Sequence, residues 1–140
     1  MPGSDTSVSK VKPIGLRHLA LRVRDLRAME GFYVGLLGFE VEWRPDPDNL
    51  YLTLRGDSLA LHRADTIAPR GSLDHLGIAY STARDVDITC QGLAAAGTRM
   101  VEPPRQHRDG AYSATVADPE GNHLQLICHP PIVAFEQRQD

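Results

Sequence analysis

LRHLALRV (residues 16–23) and LDHLGIAY (residues 73–80) are two copies of one pattern: Leu, a charged residue, His, Leu, a small residue, an aliphatic residue. His18 and His75 correspond, 57 positions apart. Self-similarity at a fixed offset points to a duplicated structural unit. In both copies the apolar residues alternate with others, as in a strand with one covered face.

A helix signal follows each copy. Asp25 can cap a helix whose apolar residues Leu26, Met29, Tyr33, Leu36 and Leu37 keep helical spacing, with Gly38 at its end. Thr82, with Asp85 three residues on, resembles a capping box; Val86, Cys90, Leu93 and Ala94 form the stripe, and Gly97 is the stop. Strands come next: residues 39–43, 50–55 and 58–62 in the first half, and 98–101, 112–117 and 122–127 in the second. PPRQHRDG (residues 103–110), with Arg105 and His107, has loop composition and reads as a solvated connection, or else as a loop of the kind that covers a site. Each half is therefore β-α-β-β-β, and the fold class is α+β with tandem modules at about 14–64 and 72–129. Residues 1–13 read as a flexible tail and 130–140 as a C-terminal tail whose Ile132, Val133 and Phe135 would pack on a partner subunit. The fourth strands align with one inserted residue, which matches Thr53 to Thr115 and His62 to Gln125.

Composition narrows the function classes. With 41% apolar and 24% charged residues and a net charge of −3, nothing favours nucleic acid or an acidic membrane surface. No apolar run is long enough to span a bilayer, and residues 1–13 lack the apolar core of a signal peptide. Cys90 and Cys128 are too few for a disulfide framework and read as reduced thiols of a cytoplasmic protein.

Strand parity converts the repeat into chemistry. If Leu19, Leu21 and Val23 face a helix, His18 faces the other way; the same reasoning leaves His62 opposite Leu59 and Leu61, His75 opposite Leu76 and Ile78, and Gln125 opposite Leu124 and Leu126. Three imidazoles and an amide oxygen on one point would make a first-row transition-metal site. Tyr51, Thr53 and Arg55 share the open-face parity and would orient an oxygenated substrate, and His123 shares the parity of Gln125. Trp43 reads either as a ring that stacks on a ligand or as a core or interface residue.

The repeated unit, GFYVGLLGFEV (residues 31–41) and DPEGNHLQL (residues 118–126) resemble the vicinal oxygen chelate superfamily, which includes glyoxalase I, extradiol dioxygenases and bleomycin-resistance proteins. The resemblance covers about residues 14–129. It implies eight strands curled as a mixed sheet around an open cleft, a divalent metal (Fe, Mn, Ni or Zn) at His18, His62, His75 and Gln125, and a homodimer. It also implies a small-molecule substrate whose vicinal oxygens chelate the metal in a dioxygenase, lyase or isomerase reaction. The family usually has Glu where this chain has Gln125, and often Glu where it has His62. A Gln amide cannot act as a base at neutral pH, so proton movement would need another group. The alternative is a metal-free protein of the bleomycin-resistance type that binds a ligand in the same cleft.

Overall fold

The computed structural model describes residues 16–68, 71 and 73–139; the tail expected at residues 1–13 lies outside these. In chain order they form β1 (His18–Val23), α1 (Leu26–Glu30), a π-helical continuation over Gly31–Leu36, β2 (Glu40–Asp46), β3 (Asn49–Thr53) and β4 (Ser58–Arg63). The second half follows as β5 (Leu76–Ala79), α2 (Ala83–Ala95), β6 (Arg99–Gln106), β7 (Tyr112–Ala117), β8 (His123–Cys128) and α3 (Pro130–Gln139). The β-α-β-β-β order thus occurs twice. The eight strands form two four-stranded sheets, ordered β1-β4-β3-β2 and β5-β8-β7-β6, neither of them closed. In each, the first and last strands pair in parallel while the other pairs are antiparallel, so the sheets are mixed.

Both caps form as the sequence specifies. Ala28 N donates to Asp25 Oδ1 at 3.0 Å, and Asp85 N donates to Thr82 Oγ1 at 3.0 Å. After the helices the chain reverses through Gly38 and Gly97, at φ of +87° and +90°, where a side chain would be strained. Thr82→Ala should therefore cost about 1 kcal/mol of stability, read as a shifted midpoint in urea melts with an unchanged slope.

The helical stripes lie on the leucine faces of the sheets. Leu26, Met29, Phe32 and Tyr33 from the first helix and Val86, Cys90 and Leu93 from the second join Leu50, Leu52, Leu61, Val116, Leu124 and Leu126 in one buried cluster. Each large aliphatic side chain buried there contributes roughly 1.5–3 kcal/mol. Both cysteines are free thiols. No described helix is long and apolar enough to cross a membrane.

Two segments differ from the sequence reading. β6 runs through Pro103 and Pro104 to Gln106, so only residues 107–110 remain as the turn. The strand tolerates its prolines because it is an edge strand with irregular register, and a missing N–H is harmless there. β2, at the edge of the other sheet, carries Pro45 in the same way. Residues 130–139 form a helix, where a tail was expected, and Pro130 and Pro131 sit in its first turn, where their fixed φ is already helical.

The turn at 118–121 fastens the two halves together. Asp118, 4% exposed, accepts hydrogen bonds from Glu120 N, Asn122 N and Asn122 Nδ2, and also from Tyr33 Oη of the first half at 3.0 Å. Glu120 accepts from Arg24 N and Asp25 N at 2.6–2.9 Å, immediately ahead of the first helix.

Candidate functional site

The strand registers arrange the open face of each sheet in rows. In the first half, Ser58 stands beside His18, Ala60 beside Ala20, and His62 beside Arg22. In the second, Gln125 stands beside Gly77, two residues beyond His75, and His123 faces Ala117. His75 and Gln125 are therefore diagonal neighbours on one face. Carried across the repeat, this register makes Ala60 the counterpart of Gln125, because Ala60 pairs with the residue two beyond His18. The sequence alignment, which matched His62 to Gln125, is thus displaced by two residues. His62 lies four positions along the strand pair from His18, about 13 Å at the usual rise per residue. Parallel side chains standing off one face at that distance do not share an ion. Among the described residues no group of three or more His, Cys, Asp or Glu side chains is placed to hold a metal within one protomer.

Each imidazole has its own setting. His75 donates from Nδ1 to Asp74 Oδ2 at 2.7 Å, which leaves Nε2 as the nitrogen for a ligand, the arrangement that orients and strengthens a metal-binding imidazole. This hydrogen bond is exposed, so its value is directional and its stabilisation slight. His18 is exposed at the start of β1. His62 is half-buried, and its tautomer is fixed through two residues. The Asn49 amide nitrogen donates to both Asp46 oxygens at 2.9 and 3.0 Å, so Asn49 Oδ1 accepts from His62 Nδ1 at 2.6 Å and Nε2 is left as an acceptor. The Asn49 hydrogen bond, then the Asp48 backbone, hold the Asp46 carboxyl below its usual range.

Gln125 is half-buried, and its Nε2 donates to Ser113 Oγ at 3.4 Å. Ser113 is 1% exposed and also bonds His107 Nε2 at 2.7 Å. His123 shares the face of Gln125. Tyr51 stacks on Trp43 at 5.3 Å between centroids and meets the His62 ring edge-on, so the two aromatics and His62 form a row across β2, β3 and β4. Trp43 is 60% exposed, so it is not a core residue within the protomer. Thr53 shares the face of Tyr51 at the end of β3, and the strand stops short of Arg55. The Thr53 hydroxyl closes the β3–β4 turn onto Asp57, and Arg55 lies in that turn, 3.7 Å from Glu136 of α3.

The donor chemistry fits a divalent first-row metal at His75 and Gln125, with His18 as the imidazole available from the first half. Asp74, Asn49, Asp46 and Ser113 are the orienting residues that parity alone did not single out. Asp74 was open to detection from its adjacency to His75; the others depend on cross-strand register. An open cavity of about 650 Å³ lies elsewhere, between the first helix and the corner around Gly97 and Pro119, and contains none of these donors.

Comparison with known proteins gives the same architecture. A lactoylglutathione lyase from Agrobacterium tumefaciens is 22% identical, with a TM-score of 0.69, over 86% of this chain and 97% of its own. TioX from Micromonospora sp. ML1 is 21% identical, with a TM-score of 0.67, over 82% and 98%. A glyoxalase/bleomycin resistance protein/dioxygenase from Alicyclobacillus acidocaldarius is 25% identical, with a TM-score of 0.65, over 84% and 93%. No curated protein sequence matches the chain. The first two likenesses are at the level of fold alone. A family model, however, matches residues 15–126, from ahead of His18 to just beyond Gln125, and with the duplicated modules it establishes that the chain belongs to the Glyoxalase/Bleomycin resistance protein/Dioxygenase superfamily.

Proposed function

We propose that the protein is a metal-dependent enzyme acting on a small substrate with adjacent oxygens, its metal held by Nε2 of His18, Nε2 of His75 and Oε1 of Gln125. The observation that carries this reading is the Asp74-oriented imidazole of His75 standing diagonal to Gln125 on an open face. The ion is Fe, Mn, Ni or Zn, and when bound it supplies chelation and polarisation of vicinal oxygens. With an amide in place of a carboxylate, the site carries more net positive charge and favours an anionic substrate oxygen. Gln125 moves no proton, so that task falls to a group outside the ligand set; His62, with Nε2 left as an acceptor by Asn49, would serve only a part of the substrate that extends along the first sheet. Dioxygenase, lyase and isomerase chemistry all fit this division of labour.

The complete ligand set is assembled in a homodimer, His18 of one copy meeting His75 and Gln125 of the other. Support comes from the open faces of the protomer: β2 is exposed along its whole length, and Leu16 and Trp43 are 97% and 60% exposed. The test is elemental analysis of untagged protein purified without chelators. One first-row metal per protomer is expected, and Gln125→Glu should tighten its binding by adding a negative ligand. A protein that is empty and stays empty after metal is added back would sink the enzyme reading and return the cleft to metal-free ligand binding.

A further inference from the structure

The geometry points to His107 and Ser113 as a positioning pair that fixes which end of the Gln125 amide faces the cleft, an inference that rests on the metal reading above. An amide is ambiguous as a ligand residue in a way that a carboxylate is not. Its oxygen can bind a cation, while its NH2 is donor-only and cannot. In this chain Gln125 therefore needs something to select its orientation.

Ser113 Oγ has one hydrogen to give. Gln125 Nε2 can only donate, so Ser113 accepts from it, and the serine hydrogen is left for His107 Nε2 at 2.7 Å. In that arrangement His107 Nε2 is the acceptor of the serine hydrogen. Were His107 to donate instead, Ser113 could accept both bonds, and its own hydrogen would be free to hold either end of the amide, so no end of Gln125 would be selected for the cleft. The two hydrogen bonds are thus coupled: the state of His107 selects Oε1 as the atom presented to a cation.

The β6–β7 turn holds His107 in place. His107 N donates to Ala111 O at 2.8 Å, Gly110 N donates to His107 O at 3.1 Å, and Gly110 adopts φ of +93°. Gln106 Nε2 donates to the carbonyls of Gly110 and Ala111, and Ala111 N donates to Asp109 Oδ1. Ser113 itself is buried on β7, a diagonal step from Gln125, since Thr115 is the direct cross-strand neighbour. The loop with His107 thus acts by fixing the amide from the side, along the same sheet face.

The experiment uses the full chain stripped of metal, with Zn²⁺ alone as the probe, and compares Ser113→Ala, His107→Ala, Gln125→Glu and Ser113→Ala/Gln125→Glu. Ser113→Ala and His107→Ala should each weaken Zn²⁺ about tenfold, the usual scale for losing an outer partner. In the Gln125→Glu background Ser113→Ala should cost less than about twofold, because either carboxylate oxygen serves. Equal losses in both backgrounds, or none in either, would overturn the inference. A second readout needs no metal. The Gln125 side-chain amide proton signals, identified by their absence in Gln125→Glu, should be slow to exchange in the parent and exchange freely in both alanine variants. Unchanged signals overturn the inference, whereas a parent protein that binds no Zn²⁺ overturns the metal reading and leaves the amide signals to decide.

Discussion

Asp118→Ala should lower stability by about 3–5 kcal/mol, a large share of what a domain this size possesses. The carboxylate is 4% exposed and accepts four hydrogen bonds: two from the backbone of its own turn, one from the Asn122 side chain, and one from Tyr33 across the junction of the halves. Alanine would leave these donors without a partner in a site that water enters poorly, so the cost exceeds the net worth of the bonds. Tyr33→Phe removes only the bond across the junction and should cost about 1–3 kcal/mol. The two substitutions share a partner, so the double variant should lose less than the sum, and full additivity in urea melts would show that the halves are not coupled through this pair. Alkaline stability provides a second check. Burial first, and then the Asp118 carboxylate, push the Tyr33 phenol well above its ordinary value near 10. The unfolded chain ionises near pH 10 while the native one does not, so the contribution is complete below pH 10 and declines as pH rises above it. Tyr33→Phe should remove the Tyr33 share of that alkaline loss, leaving the shares of Tyr80 and Tyr112, and should leave the shape of the profile near neutral pH unchanged.

The architecture was legible because it is encoded locally and written twice. Asp25 and Thr82 cap as their positions imply, and the strand leucines alternate toward the helices as a period of two requires. Register was not legible. His18 beside Ser58 is fixed by the ladder between β1 and β4, which joins segments 40 residues apart. Counting along the chain cannot distinguish Ala60 from His62 as the counterpart of Gln125, because both have the same parity. The same limit hid Asn49 and Ser113, whose roles arise from cross-strand neighbours. Composition alone ends β6 ahead of Pro103 because prolines favour loops; edge position, a tertiary property, is what admits them.

His75→Ala should weaken metal binding by more than about 100-fold, since loss of an outer partner alone costs about 10- to 100-fold and this removes a ligand outright. Asp74→Asn keeps the hydrogen bond but removes the charge that raises imidazole basicity, so it should fall within about 10- to 100-fold. His62→Ala should leave metal affinity within about twofold, because its strand position lies about 13 Å from that of His18, and should slow turnover if His62 carries the proton. If His62→Ala instead strips the metal, the ligand set is the one parity first suggested, with the second copy closing the gap that the register opens. Mixed dimers test the assembly itself. His18→Ala and His75→Ala homodimers should each be empty, but mixing the two variants should restore one metal per heterodimer, since one of its two sites draws His18 and His75 from the intact positions of different chains. A site built within one protomer gives no such recovery, because every site would then carry one of the two lesions.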